Sequence, residues 1–192
     1  MNTNAKSQRA VEQDRTRFMK FISSSTSATL GMALVAAGIL IAAPGANGQT
    51  TVTPADKDFI LAAAQGGMTE VKLGELAARN GTRDDVKECG RMMVKDHTRI
   101  NDDLRALAAE KGVTLPDTVD AKHQEELDKM AALTPAGFDD AYIAAMIKGH
   151  KTVAREFKAE AAATQDPDIK SFLEKSIPVV EEHLKHVTAM NK

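Results

Sequence analysis

The sequence predicts an all-α protein, an antiparallel four-helix bundle with one short extra helix between the second and third long helices. Four long segments carry apolar residues with the period of about 3.6 residues that marks an amphipathic helix, and none shows the strict alternation of a strand. Alanine is abundant and aromatic residues make up only 4% of the chain, a composition suited to closely packed helices. Four amphipathic helices of about 25 residues each bury their apolar stripes most simply in a bundle.

Residues 1–48 are predicted to be an N-terminal export signal. A basic region leads into "ATLGMALVAAGILIAAPGANGQT", an apolar run that ends among small residues. The run is shorter than the roughly 17–25 residues of a membrane span, so we expect cleavage between Ala46 and Gln49. The remaining chain, residues 49–192, would then be a bundle domain in the periplasm or cell envelope. Retention of the segment as an N-terminal anchor is the alternative.

The first two long helices are predicted from their start and stop signals. A proline in the first turn and the pair Asn80 and Gly81 at the end place the first helix at residues 54–79. The second helix is expected at residues 82–112, because Thr82 and Asp85 resemble a capping box and a glycine ends the segment. The short connection between the two helices makes them an antiparallel hairpin.

The second half of the chain begins with a turn-rich connection, "VTLPDTVD". The following "AKHQEELDKMAAL" is predicted to be a short, solvated helix that lies across one end of the bundle. The third long helix is expected to start at Thr134 and Pro135 and to continue to about Thr164. After the break "TQDPD", the fourth runs from Pro167 towards Met190, and the two form a second antiparallel hairpin.

Each long helix places one titratable residue inside its apolar stripe. Glu70 interrupts the stripe of the first helix, and the other three helices carry His97, His150 and His183. Counting from the turns at about 1.5 Å per residue brings the three histidines within roughly 3 Å of one level, whereas Glu70 is displaced from His97 by roughly 7 Å. A long turn or a tilted helix would have to absorb that displacement.

Clustering of these four side chains would lower the cost of burying them, because an unpaired buried carboxylate costs several kcal/mol and a buried imidazole needs partners for both nitrogens. The predicted metal ligands are Glu70, His97, His150 and His183. Three imidazoles and one carboxylate suit a single Zn²⁺, iron or copper ion and exclude a calcium-type oxygen cage. A metal-free polar network that holds the helices in register and responds to acid is the alternative.

The other polar residues near these helices receive surface or supporting roles. Asp96 is expected to face a neighbouring helix or solvent, where it would hydrogen-bond to a ligand. His123 is expected at the surface, and so is His186, for which a role as a spare ligand one turn from His183 is the alternative. Cys89 is the only cysteine, so no internal disulfide can form. We expect Cys89 to be buried on its helix, and a homodimer linked through its thiol is the alternative.

The charge of the chain argues against nucleic acid as a partner. Residues 1–48 hold 5 of the 25 basic and 2 of the 27 acidic residues, which leaves 20 against 25 and a net charge of −5. A mildly acidic surface lacks the basic patch that nucleic acid requires. The sequence identifies no protein partner.

Four ordered segments resemble a known family: "AAAQGGMTEVKLGELA", "MMVKDHTRINDDL", "FDDAYIAAMIKGHKTV" and "IPVVEEHLKH". Over about residues 56–190 the chain resembles DUF4142, a family of exported bacterial proteins of unknown function that carries the label "predicted outer membrane protein". The resemblance implies a ferritin-like bundle and matches Glu70, His97, His150 and His183 to positions of the family motif. No strand pattern supports reading that label as an integral membrane barrel.

A ferritin-like fold does not by itself imply a di-iron centre. Such a centre needs Glu-x-x-His on two helices, and the residues three before the histidines are Val94, Ile147 and Val180. No nucleophile with an obvious base and no phosphate or dinucleotide motif is present, so an enzyme is not favoured. The predicted function is binding of one transition-metal ion, in envelope metal handling or stress tolerance. A non-catalytic structural or interaction module is the alternative.

Overall fold

The computed structural model of the protein describes residues 52–191, and this part of the chain is all-α. Its helices are α1 (Pro54–Asn80), α2 (Asp84–Glu110), α3 (Ala121–Ala131), α4 (Pro135–Ala163) and α5 (Pro167–Met190). The four long helices form a bundle with α3 as the short extra helix, which confirms the predicted fold class. The predicted export segment lies outside the described residues. Within the described part, no helix combines the length and apolar character that a membrane span needs.

Polar contacts at one end of the bundle show which helices begin and end there. Asp56, in the first turn of α1, accepts a hydrogen bond of 2.8 Å from the hydroxyl of Thr164, which follows α4. Lys111, which follows α2, forms an ion pair of 2.6 Å with Asp166, the N-cap residue of α5. This end, called the first end below, therefore holds the starts of α1 and α5 and the ends of α2 and α4.

The opposite end, called the second end, is joined in the same way. Asp139, in the first turns of α4, accepts hydrogen bonds from the backbone amides of Thr82 at 3.0 Å and Arg83 at 2.9 Å. The guanidinium of Arg83 donates to the carbonyl oxygen of Met190, the last residue of α5. Since α1 and α5 run towards this end and α2 and α4 run away from it, each long helix is antiparallel to the long helices that pack against it.

The start of α2 differs from the prediction. The helix begins at Asp84 with Arg83 as its N-cap residue, so the capping box predicted for Thr82 and Asp85 was wrong. Thr82 instead directs its amide and hydroxyl to the carboxylate of Asp139. A side chain of another helix therefore supplies the hydrogen-bond acceptors at the start of α2, and the sequence around Thr82 cannot reveal that distant partner.

The position of α3 also corrects the prediction, because α3 lies along the side of the bundle and not across its end. The helix packs against α1 and α4, and its Leu127 and Met130 are buried in the core. Just before α3, Gln65 of α1 donates to the carbonyl oxygen of Thr118 and accepts from the amide of Asp120. Because α2 ends at the first end and α4 begins at the second end, the connection between them runs along the length of the bundle. Ferritin-like bundles contain a long crossover of this kind.

The apolar core is divided into two clusters, one towards each end. The cluster near the first end contains Ile60, Leu104, Phe157 and Leu173, among others. The cluster near the second end includes Leu73, Val86, Met93, Phe138, Tyr142 and Val187. Along every long helix, the titratable residue of the stripe falls between the members of the two clusters. We call the level formed by Glu70, His97, His150 and His183 the middle layer.

The closest packing of α1 against α2 depends on two facing glycines. A Cβ atom added at Gly90 would lie 2.6 Å from the carbonyl oxygen of Gly74, so any side chain there would push the helices apart. Gly66 does not take part, because a Cβ atom added there would meet no described heavy atom within 4 Å apart from its chain neighbours and the backbone of its own helical turns.

Candidate metal site

All four residues of the middle layer point into the bundle. Their exposed fractions are 8% for Glu70, 5% for His97, 1% for His150 and 2% for His183. Glu70 and His97 differ less in height along the bundle than the sequence predicted, because α2 begins later than predicted. Glu70 lies 10 residues before the end of α1 and His97 lies 13 residues after the start of α2. That difference amounts to about 4.5 Å at about 1.5 Å per residue, which a glutamate side chain can span.

The three imidazole rings form a nearly equilateral group at the centre of this layer. Their centroids are 5.5 Å apart for His97 and His150, 5.2 Å for His97 and His183, and 5.4 Å for His150 and His183. One ring nitrogen from each histidine lies within 4.8 Å of those of the other two. Because the rings come from α2, α4 and α5, the bundle itself holds the group together.

The outer nitrogens of two rings have partners that determine where the protons lie. His150 Nδ1 is 3.0 Å from the carbonyl oxygen of Met146. Since a carbonyl only accepts, Nδ1 carries the hydrogen and Nε2 carries the lone pair. His183 Nε2 is 3.1 Å from Asp96 Oδ2, so there Nε2 is the donor and Nδ1 holds the lone pair. That Nδ1 atom is buried and has no hydrogen-bond partner in the described part of the chain.

His97, the remaining imidazole of the group, contacts His150. His97 Nε2 lies 3.4 Å from His150 Nε2. Since the latter carries a lone pair, the former either donates a hydrogen to it or binds the same cation. Burial, followed by repulsion from the other two imidazoles, holds the pKa of His97 well below its usual value. Burial also lowers the pKa of His150 to about 4. Both rings are therefore neutral at neutral pH, the form that binds metal.

Glu70 lies beside this group and not within it. Its Oε1 is 3.8 Å from His150 Nδ1, too far for a hydrogen bond, and the hydrogen of that nitrogen is directed to a carbonyl. Gly149 leaves room for the carboxyl group, since a Cβ atom there would lie 3.2 Å from Oε1. Burial raises the pKa of Glu70 to about 8. The structure thus brings three of the four predicted ligands together and places the fourth against one of them.

The remaining candidate residues lie outside the site. His186 is exposed, and His123 is partly buried at the start of α3, with Nδ1 2.8 Å from Asp120. Cys89 is free and fully buried, and burial raises the pKa of its thiol to about 11. Its thiolate, the form that binds metal, is therefore scarce at neutral pH. Sequence reasoning missed the carbonyl of Met146 as a partner, since only the folded geometry shows which ring nitrogen faces it.

Comparison with known proteins gives a family and two similar structures. A family model described as "Domain of unknown function (DUF4142)" matches residues 42–190. A structure described as a DUF305 fragment from Deinococcus radiodurans is similar with a TM-score of 0.64 and 11% identity, over 73% of this chain and 97% of that chain. "CopM in the Cu(I)-bound form" is similar with a TM-score of 0.59 and 17% identity, over 70% and 94%. Likeness at these identities shows the fold alone. A search of curated sequences finds no significant match.

Proposed function

The chain belongs to the DUF4142 family, and we propose that it is a binding protein for one transition-metal ion, which the buried imidazoles of the middle layer hold. His97, His150 and His183 would supply three nitrogen ligands. Glu70 would be the fourth donor, after a movement of its side chain towards the ion. Together with the predicted export segment, this activity would serve metal handling or stress tolerance in the cell envelope.

The observation that carries the proposal is the arrangement of the ring nitrogens. Histidines that bind metal usually donate their other N–H group to a carboxylate or a backbone carbonyl. His150 and His183 have such partners, which leaves one ring nitrogen of each with a free lone pair. An unpaired buried acceptor costs about 1–3 kcal/mol. A cation at this level would satisfy His183 Nδ1, for which the described residues provide no partner.

The spacing of two of the ligands already suits a bound ion. Two nitrogens bound to one ion at about 2.0–2.1 Å, with an angle of about 109–120° between the bonds, lie roughly 3.3–3.6 Å apart. His97 Nε2 and His150 Nε2 are 3.4 Å apart. These two ligands would therefore need little rearrangement on binding.

The chemistry of the donors limits the metals that fit. Imidazole nitrogens suit zinc, copper and iron, whereas calcium and magnesium prefer oxygen cages. The similar fold described as "CopM in the Cu(I)-bound form" supports including Cu(I) among the ions to test. Three neutral nitrogens are compatible with a monovalent or a divalent ion, so identity has to be determined by measurement.

Metal titration of the purified chain without residues 1–48 tests the proposal. We expect one ion per chain, with a dissociation constant below about 1 µM for at least one of Zn²⁺, Cu(I), Cu²⁺ and Fe²⁺. His150→Gln should weaken binding by at least about 100-fold, more than the loss typical of a supporting residue. His186→Gln, an exposed histidine on α5, is the matched control and should bind as the wild type does. Binding no tighter than about 1 mM for every ion would overturn the proposal.

A metal-free network is the second candidate, and the contact between His97 and His150 favours it. Their Nε2 atoms, 3.4 Å apart, are also compatible with a weak N–H···N hydrogen bond between neutral rings. In this case the middle layer would hold the helices in register. The titration above would then show no tight binding, while His150→Gln would still alter the stability of the bundle.

A further inference from the structure

We infer that Asp96 is a positioning residue for the site: it selects which ring nitrogen of His183 carries the hydrogen and which keeps the lone pair that a metal ion could use. The inference rests on the proposed metal site for its consequence in binding. Its structural claim concerns the tautomer of His183 and applies to the metal-free protein as well.

The selection follows from a single hydrogen bond between two neighbouring helices. His183 is on α5 and Asp96 is on α2, and His183 Nε2 lies 3.1 Å from Asp96 Oδ2. A neutral imidazole carries one hydrogen, and an ionised carboxylate only accepts. The hydrogen therefore belongs to Nε2, and the lone pair of His183 belongs to Nδ1. This Nδ1 atom is buried, and residues 52–191 offer it no hydrogen-bond partner.

The control of this ring differs from the control of His150. The partner of His150 is the carbonyl of Met146, four residues earlier on the same helix, so its orientation is a local property of α4. The partner of His183 belongs to another helix. The third ligand of the site is therefore set by the packing of α2 against α5, and it depends on one side chain that can be changed without touching an imidazole.

The exposure of Asp96 makes that change practical. Its side chain is 25% exposed, whereas that of His183 is 2% exposed, so the hydrogen bond joins the buried layer to the surface. Asp96→Ala removes the acceptor without emptying a fully buried position. Asp96→Asn keeps the shape and one acceptor oxygen but removes the charge, and it should retain most of the orientation.

NMR of the imidazole nitrogens in the metal-free protein tests the tautomer directly. For the neutral ring of His183, we expect the hydrogen on Nε2 in the wild type and in Asp96→Asn. In Asp96→Ala we expect a mixture of tautomers or a hydrogen on Nδ1. Asp103→Ala is the matched control, because Asp103 is an exposed aspartate two turns further along α2. It should leave His183 unchanged.

Metal affinity gives the second readout. We expect Asp96→Ala to weaken binding by about 10–100-fold, the loss typical of residues that orient a ligand, and Asp96→Asn to restore most of it. If the wild type binds no metal, the proposed function is contradicted, but the NMR measurement of the His183 tautomer still tests this inference. If metal binds and Asp96→Ala changes neither tautomer nor affinity, the inference is overturned and the metal site stands. A wild-type hydrogen on Nδ1 would also overturn it.

Discussion

The ends of the bundle and its middle layer both bury titratable side chains, but they treat them in opposite ways. At the ends, Asp56, Asp139 and Lys111 receive hydrogen bonds or ion pairs from neighbouring segments. In the middle, Glu70 Oε2 and His183 Nδ1 are buried, and nothing in the described range pairs with them. Buried polar groups in proteins are nearly always paired, so the exceptions need a reason. The ends are thus paired within the protein, whereas under the proposed function a metal ion would pair with the atoms of the middle layer.

The pKa values of two buried acids, Asp139 at the second end and Glu70 in the middle layer, show the same difference between the two regions. Burial acts to raise the pKa of Asp139, but hydrogen bonds from Thr82 and Arg83 outweigh it and hold the pKa below its usual value. Burial raises the pKa of Glu70 to about 8. At neutral pH Asp139 is therefore ionised and Glu70 is protonated, because donors reach the first carboxyl whereas the second is more deeply buried and its Oε2 has no partner among residues 52–191.

The largest effect is expected at the second end. Asp139→Ala should lower the free energy of unfolding by about 2–4 kcal/mol, because it removes the charged acceptor of two backbone amides and the hydroxyl of Thr82 at the start of α2. Urea denaturation at neutral pH measures the loss. Asp140→Ala, at the exposed next position, is the control and should cost less than about 0.5 kcal/mol. Equal losses in the two variants would contradict the role assigned to this end.

The next effect concerns the middle layer and is a dependence on pH. In the metal-free protein, Glu70 keeps its proton to about pH 8, whereas the unfolded chain releases it near its usual pKa of 4.5. The folded state binds more protons between these values, so this group makes stability fall as pH rises, by up to about 1.4 kcal/mol per pH unit. Glu70→Gln should remove the fall between about pH 6.5 and 8.

The imidazoles act in the opposite direction at lower pH. His97 and His150 have lowered pKa values, so the unfolded chain binds more protons below the usual pKa of 6.5 and stability falls on acidification towards about pH 4. Wild-type stability should therefore be greatest near pH 6.5 and lower on both sides. Denaturant unfolding at several pH values measures the curve. A wild-type curve that is flat from pH 6.5 to 8 would contradict the assignment for Glu70.

The smallest effect compares two glycines at positions with different surroundings. Gly66→Ala should raise the free energy of unfolding by about 0.5–1 kcal/mol, since alanine favours the helix and a Cβ there would meet no described atom beyond its own helix within 4 Å. Gly149→Ala should give less than this, because its Cβ would press on Glu70 Oε1 at 3.2 Å. Combining Gly149→Ala with Glu70→Ala should restore the gain. Equal gains in the two single variants would show that the middle layer needs no such room.

Local signals predicted the helices well wherever the signals were complete. Helices α4 and α5 begin at Pro135 and Pro167 as expected, because proline in a first turn needs no distant partner. The start of α2 was misplaced because its acceptor, Asp139, belongs to another helix. The position of α3 was wrong for a similar reason, since the path between two ends of a bundle is a property of the whole fold.

The sequence by itself determined the four amphipathic helices and the single titratable residue in each stripe, because periodicity is a property of the local chain. Only the tertiary structure decided which nitrogens of His150 and His183 carry the hydrogens and why Glu70 holds its proton. Ring orientation depends on atoms such as Asp96 Oδ2, which another helix supplies, and the protonation of a buried carboxyl depends on the donors that surround it. Residue spacing encodes neither of these.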